Sequence, residues 1–311
     1  MPVAYQRGLH ELGDGLHAYL QPDGSWGWSN AGLITAGGTS LLVDTLFDLE
    51  LTREMLDAMR PITERSPIDA AMNTHGNGDH CFGNELLPEG AEIYATVGAA
   101  AELQAAPPQL VDALKHADAF GPELTAYIQR IFGPFRFEGI ELRLPTSTFE
   151  GRLELTVGDR AVHFVEVGPA HTDGDAIVQF KKANVIATGD VVGEGYPLID
   201  ADSGGTFDGF ITAAEKVLSL ADDNTKIVPG HGPLMTKADV TAYRDMLLQV
   251  RERVGKLIAA KKTVEEAKAA KPLADLEPKW GQGFIHADFI IESVYKSPPA
   301  PEKKGKRHGG K

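Results

Sequence analysis

The most informative stretch of the sequence is residues 74–80, which read Thr74-His75-Gly76-Asn77-Gly78-Asp79-His80. The residues just before them, 67–73, are mostly apolar and have the length of a buried β-strand. Gly76 and Gly78 allow the backbone to turn tightly, so the polar side chains around them can converge on one point. Imidazole and carboxylate groups gathered at a strand end in this way are typical of a metal site.

Three further side chains of the metal-ligand type follow other strand-like segments, each with glycine beside or near it. They are His171 in GPAHTDGD, Asp190 in ATGDVV and His231 in VPGHGP. In open α/β sheets, active sites lie at the carboxyl ends of strands, and zinc accepts histidine and carboxylate ligands. We therefore predict that these residues converge with the 74–80 segment on a metal. The histidines outside such surroundings are interpreted as ordinary surface or core residues.

The rest of the chain alternates strand-like apolar runs with amphipathic helical stretches, which predicts an α/β fold. A helix is expected at about 50–60, ended by Pro61. Thr236 and Thr263 each precede an acidic residue by three positions. This capping pattern predicts a helix start at both places.

The expected organisation is one domain over residues 1–296. A helical, Ala-rich insertion is predicted within it at about 97–137, and C-terminal helices at about 236–296. The last residues, 297–311, are rich in Pro, Lys and Gly and are expected to form a disordered tail.

The charge of the chain restricts its partners, because 30 Lys and Arg face 44 Asp and Glu, a net charge of −14. Nucleic acid and anionic membranes require a basic face, so neither is an expected partner. No apolar run approaches the roughly 20 residues that span a bilayer, and the N-terminal residues do not follow the plan of a signal peptide. The single cysteine, Cys81, excludes an internal disulfide. We expect a soluble, cytoplasmic protein.

The motifs resemble those of the metallo-β-lactamase superfamily, whose pattern is His-x-His-x-Asp-His followed by a distant His, a distant Asp and a last His. The likeness in order and spacing covers roughly residues 14–235 and includes the NAGLI and LLVDT segments. It implies a four-layer αββα sandwich with the metal site along one edge, between the two sheets.

The resemblance also implies a ligand set with two metal sites. The first metal would be held by His75 and His171, the second by Asp79, His80 and His231, with Asp190 bridging the two. Zinc is implied, as one or two ions, although manganese and iron suit the same donors. Asp44, at the end of its own strand, either orients a ligand histidine or caps a helix or turn.

Asn77 stands where the superfamily has its second histidine. An amide oxygen is a harder donor than imidazole and binds zinc more weakly, so we expect the second site to fill first. Asn77 is then either a poor ligand or a hydrogen-bond donor to the substrate, and both interpretations stay open. The implied reaction is metal-assisted hydrolysis, in which Asp79 orients the attacking water and the Asn77 amide can stabilise the oxyanion.

The favoured function is therefore hydrolysis of an ester, lactone, thioester or amide of a small molecule. The alternative is a mononuclear iron oxygenase similar to the persulfide dioxygenases of the superfamily, using His75, His171 and Asp190. Asn77 weakens that same site, which argues against the alternative. A nuclease is disfavoured by the net charge of −14, and a non-catalytic binding protein by the intact ligands.

Aromatic residues suggest what surrounds the site. Trp26 and Trp28 on the first hairpin are candidates for an apolar wall. The phenylalanines near the end of the insertion belong either to a cap over the site or to the core, and core packing is the commoner outcome at this spacing. They are Phe132, Phe135 and Phe137. The C-terminal segment GFIHADFIIESVY packs either on its own domain or on a second subunit, so a homo-oligomer is one expectation.

Overall fold

The computed structural model describes residues 3–116, 121–283 and 285–297, and its strands form two sheets. The first sheet contains, in spatial order, β1 (Gly8–Gly13), β2 (Leu16–Leu20), β3 (Ala31–Ala36), β4 (Thr39–Val43), β5 (Ile68–Met72), β6 (Glu92–Thr96) and β7 (Ser147–Phe149). The second runs from β12 (Lys226–Pro229) through β11 (Val185–Gly189), β10 (Ala176–Phe180) and β9 (Arg160–Glu166) to β8 (Arg152–Val157). Parallel pairing of β4 with β5 and of β11 with β12 brings the carboxyl ends of each pair to the same sheet edge.

Helices separate groups of strands along the chain, in keeping with the predicted α/β fold. They are α1 (Leu49–Thr63), α2 (Gly78–Cys81), α3 (Val97–Ala105), α4 (Pro108–Lys115), α5 (Gly121–Phe132), α6 (Phe207–Leu220), α7 (Lys237–Ala259), α8 (Val264–Ala269), α9 (Glu277–Trp280) and α10 (Ala287–Lys296), with a 3-10 helix at Phe82–Leu86. None of the helices in the described ranges combines the length and apolarity needed to span a lipid bilayer.

Adjacent residues of one strand pack into different hydrophobic cores, and this reveals the layers of the fold. Successive side chains of a strand point to opposite faces of the sheet. Leu41 of β4 therefore packs between the two sheets with Phe164 of β9, whereas Leu42 packs outward with Met55 of α1. On the far side, the second sheet packs against α6, α7 and α10. The predicted four-layer αββα sandwich is confirmed.

The first long helix, α1, differs from the sequence prediction at its end. Its start is set by Asp48, whose side chain accepts a hydrogen bond from the Leu51 N–H at 2.8 Å. Pro61 lies inside the helix, which continues to Thr63, so the expected end at Pro61 is wrong. A proline removes one N–H donor, but the Glu64 N–H still bonds the Arg60 carbonyl at 3.0 Å and completes the last turn.

The C-terminal helices begin as the capping patterns predict. Both Thr236 and Thr263 form capping boxes with the acidic residue three positions later. On α10, Ile290 and Val294 are fully buried in the core that contains α7, so this segment packs on its own domain. Three helices, α3 to α5, occupy the predicted insertion, and the predicted tail lies outside the described residues except for Ser297.

Candidate metal centre

The segment from His75 to His80 leaves β5 at the edge where the other predicted ligands lie. His75 and His80 are fully buried, and Asp79 is almost so. The glycines between them are required by close packing: a Cβ at Gly76 would lie 2.7 Å from the Ala99 carbonyl oxygen, and one at Gly78 would lie 2.5 Å from the Phe82 ring. Tight surroundings therefore fix the path of this segment.

Six of the predicted ligands form two groups, in each of which the ligand atoms lie within 4.8 Å of one another. We name His75, His171 and Asp190 the first triad, and Asp79, His80 and His231 the second triad. One carboxylate, that of Asp190, approaches all the histidines of both triads. Its oxygens lie 4.0 Å from His75 Nε2, 3.7 Å from His171 Nε2, 3.3 Å from His80 Nε2 and 3.4 Å from His231 Nε2. The position between the triads is the one expected of a bridging carboxylate.

The donors of the triads fit a metal ion. Within the described residues, His75 Nε2 and His80 Nε2 are buried with no hydrogen-bond partner, an arrangement that normally costs free energy. Burial, together with the charge of His80, holds the pKa of His75 well below its usual value, which favours the neutral, ligating ring. Burial acts to raise the pKa of Asp190, but His231 and His80 outweigh it and hold that pKa well below normal. Neutral imidazole and ionised carboxylate are the forms that zinc binds.

Asp44 orients a ligand histidine. Its Oδ2 lies 3.0 Å from His80 Nδ1, so the other ring nitrogen faces the second triad. The same carboxylate accepts hydrogen bonds from the Thr74 N–H at 2.7 Å and the Thr74 hydroxyl at 2.8 Å. Asp44 therefore orients His80 and also caps the turn after β5, while the helix cap at this edge is Asp48.

His171 is held by backbone groups. Its Nδ1 donates to the Leu198 carbonyl at 2.8 Å, so Nε2 is directed into the first triad and is the unprotonated nitrogen of the neutral ring. The loop around it is shaped by Asp175, which accepts hydrogen bonds from the Ala170 and Thr172 N–H groups at 3.1 and 3.0 Å. Burial raises the pKa of Asp175 to about 6. Sequence reasoning missed both Asp175 and Leu198.

A family model described as the metallo-beta-lactamase superfamily matches residues 24–231, more than half of the chain. The chain belongs to the metallo-β-lactamase superfamily. Members of this superfamily bind metal ions, in keeping with the two triads. No curated protein matches the sequence.

Solved structures of the same fold are similar to this superfamily member. A double mutant of the sec-alkylsulfatase PisA1 superposes with a TM-score of 0.71 at 17% identity, covering 93% of this chain and 50% of that one. The stereoselective inverting sec-alkylsulfatase Pisa1 from Pseudomonas sp. gives 0.69 at 18% identity, with the same coverage of 93% and 50%. The metallo-beta-lactamase from Pontibacter korlensis gives 0.56 at 15% identity, covering 78% of this chain and 99% of that one. The chain thus spans about half the length of the alkylsulfatases, and at these identities the likeness concerns the fold.

Asn77, the departure from the superfamily pattern, lies beside the first triad. Its Nδ2 is 2.9 Å from His171 Nε2 and donates to that unprotonated ring nitrogen. The amide therefore competes for the lone pair with which His171 would bind a metal. Both interpretations of Asn77, as a poor metal ligand and as a hydrogen-bond donor to the substrate, require it to lie beside the first triad, as it does.

A residue that sequence reasoning missed, Glu102 of α3, approaches the metal motif from behind. Its Oε2 accepts a hydrogen bond from the Gly76 N–H at 3.1 Å. Burial raises the pKa of Glu102 to about 7. A glutamate on an Ala-rich helix gives no sequence signal for such a contact.

The loop that carries His231 is fastened to the first sheet. Asn30, just before β3, donates from its side chain to the Pro229 and Gly232 carbonyls at 3.0 and 2.8 Å, and its backbone N–H donates to the Gly230 carbonyl at 2.7 Å. Asn30 is only 2% exposed. Its hydrogen bonds hold a ligand of one sheet in register with the ligands of the other.

A cavity of about 740 Å³ opens over the triads, and His171, Asp190 and His231 lie at its base. Its apolar walls include Trp26, Trp28, Ile131, Val192, Leu198 and Ile285. The two tryptophans thus lie where the sequence predicted an apolar wall. Tyr243 and Ile285 reach the cavity from the C-terminal region, a contribution that the helical pattern of that region did not reveal.

The phenylalanines of the insertion belong to the core. Phe135 and Phe137 are buried, and each ring lies 4.8 Å from the ring of Phe47. Trp28 packs on Phe135 at 5.1 Å, so this aromatic core supports the cavity wall from behind. The commoner of the two interpretations, core packing, is therefore correct.

Proposed function

We propose that this superfamily member is a metal-dependent hydrolase that acts on a carbonyl ester, lactone, thioester or amide of a small molecule. The observation that carries the proposal is the position of Asp190, which lines the cavity and whose carboxylate lies within 4.0 Å of a ring nitrogen of each of the four triad histidines. The structural neighbours named above, a β-lactamase and alkylsulfatases, are hydrolases, which supports the same class.

Each triad would form one metal site, and Asp190 of the first triad would also contribute a ligand to the second site. When bound, a divalent metal supplies a water of lowered pKa and polarises the bond to be cleaved. Zinc is the proposed metal, as one or two ions, with manganese or iron as the alternatives.

The protein's own groups complete the chemistry. Asp79 Oδ2 lies 3.1 Å from His231 Nε2, so its second oxygen is available to orient the attacking water and accept its proton. The Asn77 amide, 2.9 Å from His171 Nε2, is placed to donate to the negative oxygen that develops during attack. Both side chains are proposed to be catalytic.

The cavity suggests the size and character of the substrate. Its volume of about 740 Å³ is that of a small-molecule site. The tryptophans and the aliphatic side chains of the cavity wall favour a substrate with an apolar acyl or alkyl group. The net charge of −14 supports a small molecule and disfavours nucleic acid or a membrane as partner. A cytoplasmic location and a homo-oligomer remain part of the proposal.

A second candidate, an iron oxygenase, is favoured by one observation. The first triad is a set of two histidines and one carboxylate, the ligand set of non-haem iron oxygenases. The complete second triad argues for the hydrolase, because a mononuclear oxygenase does not need it.

Metal analysis separates the candidates. We expect elemental analysis of the purified protein to find one or two zinc or manganese ions per chain. Iron as the main metal, with oxygen uptake on a persulfide substrate, would replace the hydrolase with the oxygenase.

Turnover tests the hydrolase directly. The metal-loaded protein is assayed on a panel of esters, lactones, thioesters and amides with apolar groups of increasing length. Secondary alkyl sulfates are included because the structural neighbours Pisa1 and its mutant are sec-alkylsulfatases. Hydrolysis of a carbonyl compound that is lost on chelation supports the proposal. Exclusive activity on sulfate esters, or none on the whole panel, would contradict it.

A further inference from the structure

Helix α3 packs against the loop that carries His171. The Thr96 hydroxyl caps the helix at the Ala99 N–H, 3.0 Å away, and donates to the Gly174 carbonyl at 2.6 Å. The backbones themselves are in contact, since a Cβ at Gly174 would lie 2.1 Å from the Ala99 nitrogen. A side chain at position 174 would therefore push the helix away from the loop.

One turn later, the same helix meets the loop that carries His75. Glu102 Oε2 accepts the Gly76 N–H at 3.1 Å. A Cβ at Gly76 would lie 2.7 Å from both that oxygen and the Ala99 carbonyl oxygen. Glu102 is also near enough to His171 to interact with it electrostatically.

These contacts make α3 a spacer between two loops that arise from different sheets. His75 follows β5 of the first sheet, whereas His171 lies between β9 and β10 of the second. We propose that Glu102 is a positioning residue that fixes the His75 loop against α3 and so sets the metal affinity of the first triad. This inference rests on the proposed metal centre.

The hydrogen bond makes a specific prediction about substitutions. Glu102→Ala removes the acceptor of the Gly76 N–H and should weaken metal binding at the first triad by about 10- to 100-fold, the usual effect of losing a group that supports a ligand. Glu102→Gln keeps an acceptor oxygen and should bind like the wild type. The second triad should be unaffected by either change.

The experiment is a cobalt titration of the metal-free protein, followed by absorption spectroscopy. The transition that disappears in His171→Ala identifies the first triad. Gln104→Ala, an exposed position on the same helix, is the matched control and should leave the titration unchanged. Circular dichroism checks that each variant is folded.

Several outcomes would overturn the inference. Equal cobalt affinity of Glu102→Ala and the wild type at the first triad would show that Glu102 positions nothing there. An equal loss in Glu102→Gln would show that the hydrogen bond is not the cause. If Glu102→Ala does not fold, Glu102→Asp serves instead, because it withdraws the carboxylate by one methylene. Unchanged cobalt affinity of the first triad in that variant would also contradict the inference. A wild-type protein that binds no metal at either triad would instead defeat the proposed function.

Discussion

The two triads are built from the same residue types, but different groups hold their histidines. In the second triad, the buried carboxylate of Asp44 fixes His80 at 3.0 Å. In the first, neutral groups serve: the Thr74 hydroxyl lies 3.0 Å from His75 Nδ1, and the Leu198 carbonyl accepts from His171. A carboxylate partner strengthens the basicity of a ligand histidine more than a neutral one does. The second triad therefore has a carboxylate support at His80, whereas the supports of the first triad are neutral and the Asn77 amide competes for His171 Nε2.

The largest effect is expected from His80→Ala. This change removes a ligand of the second triad and leaves Asp44 buried without its imidazole partner. Turnover should fall by more than about 100-fold, beyond the range for residues that only orient a ligand, and chelator competition should show the loss of the tighter metal. His116→Ala, at the exposed residue that follows the C-terminus of α4, is the control. Retention of the tighter metal would reverse the ranking of the triads.

Asn77→His tests the weaker triad by supplying the missing histidine. Metal content should rise by about one ion per chain, because imidazole replaces a poor donor. If the Asn77 amide serves the substrate, turnover with saturating metal should fall at the same time. Asn77→Ala, which removes the amide without adding a ligand, should lower turnover and leave the metal content unchanged. Unchanged turnover in both variants would eliminate the proposed donor role.

Asp44→Asn tests the carboxylate support of the second triad. Its metal affinity should fall about 10- to 100-fold, while that of the first triad stays the same. A titration against a chromogenic chelator measures both. The same substitution at Asp48, another buried aspartate of this edge, should have no effect on affinity, since asparagine also caps helices well. An equal decrease at both triads would show that Asp44 does not act on the second alone.

The smallest effect is expected from Thr74→Val, which removes a hydroxyl that contacts a ligand of the first triad and the carboxylate that supports the second. The Thr74 hydroxyl donates to Asp44 at 2.8 Å and contacts His75 Nδ1 at 3.0 Å. Loss of one hydrogen bond to a buried carboxylate should lower the free energy of unfolding by about 1–3 kcal/mol, measured by urea denaturation. Thr74→Ser keeps the hydroxyl and should retain the metal affinity of both triads. A larger loss of affinity in Thr74→Ser than in Thr74→Val would mean that the methyl group matters more than the hydroxyl.

The sequence was informative about the site wherever a ligand follows a strand. A strand end fixes both the position and the direction of the next residues, so Asp190 and His231 could be placed from local pattern alone. The groups that orient the ligands could not be predicted in this way. Leu198 contributes its backbone carbonyl, which every residue possesses, and Glu102 lies 26 positions from the Gly76 that it contacts.

The fold was predicted at the level of layers but not of every boundary. Alternating apolar runs define strands and helices, and capping residues correctly marked the starts of α7 and α8. The end of α1 was misplaced, because the helix tolerates Pro61 in its last turn. The contribution of Tyr243 and Ile285 to the cavity depends on how the C-terminal helices dock, which local periodicity does not contain.

Each triad draws its members from both sheets, and Asn30 ties those sheets together at the His231 loop. A metal ion at this edge is thus a ligand of the docked sandwich and not of either half. By thermodynamic linkage, metal binding therefore stabilises the docked arrangement of the two sheets. At a free metal concentration 1,000 times the Kd, this stabilisation is about 4 kcal/mol. The supply of metal would set how firmly the two halves of the molecule stay joined, as well as how fast the centre works.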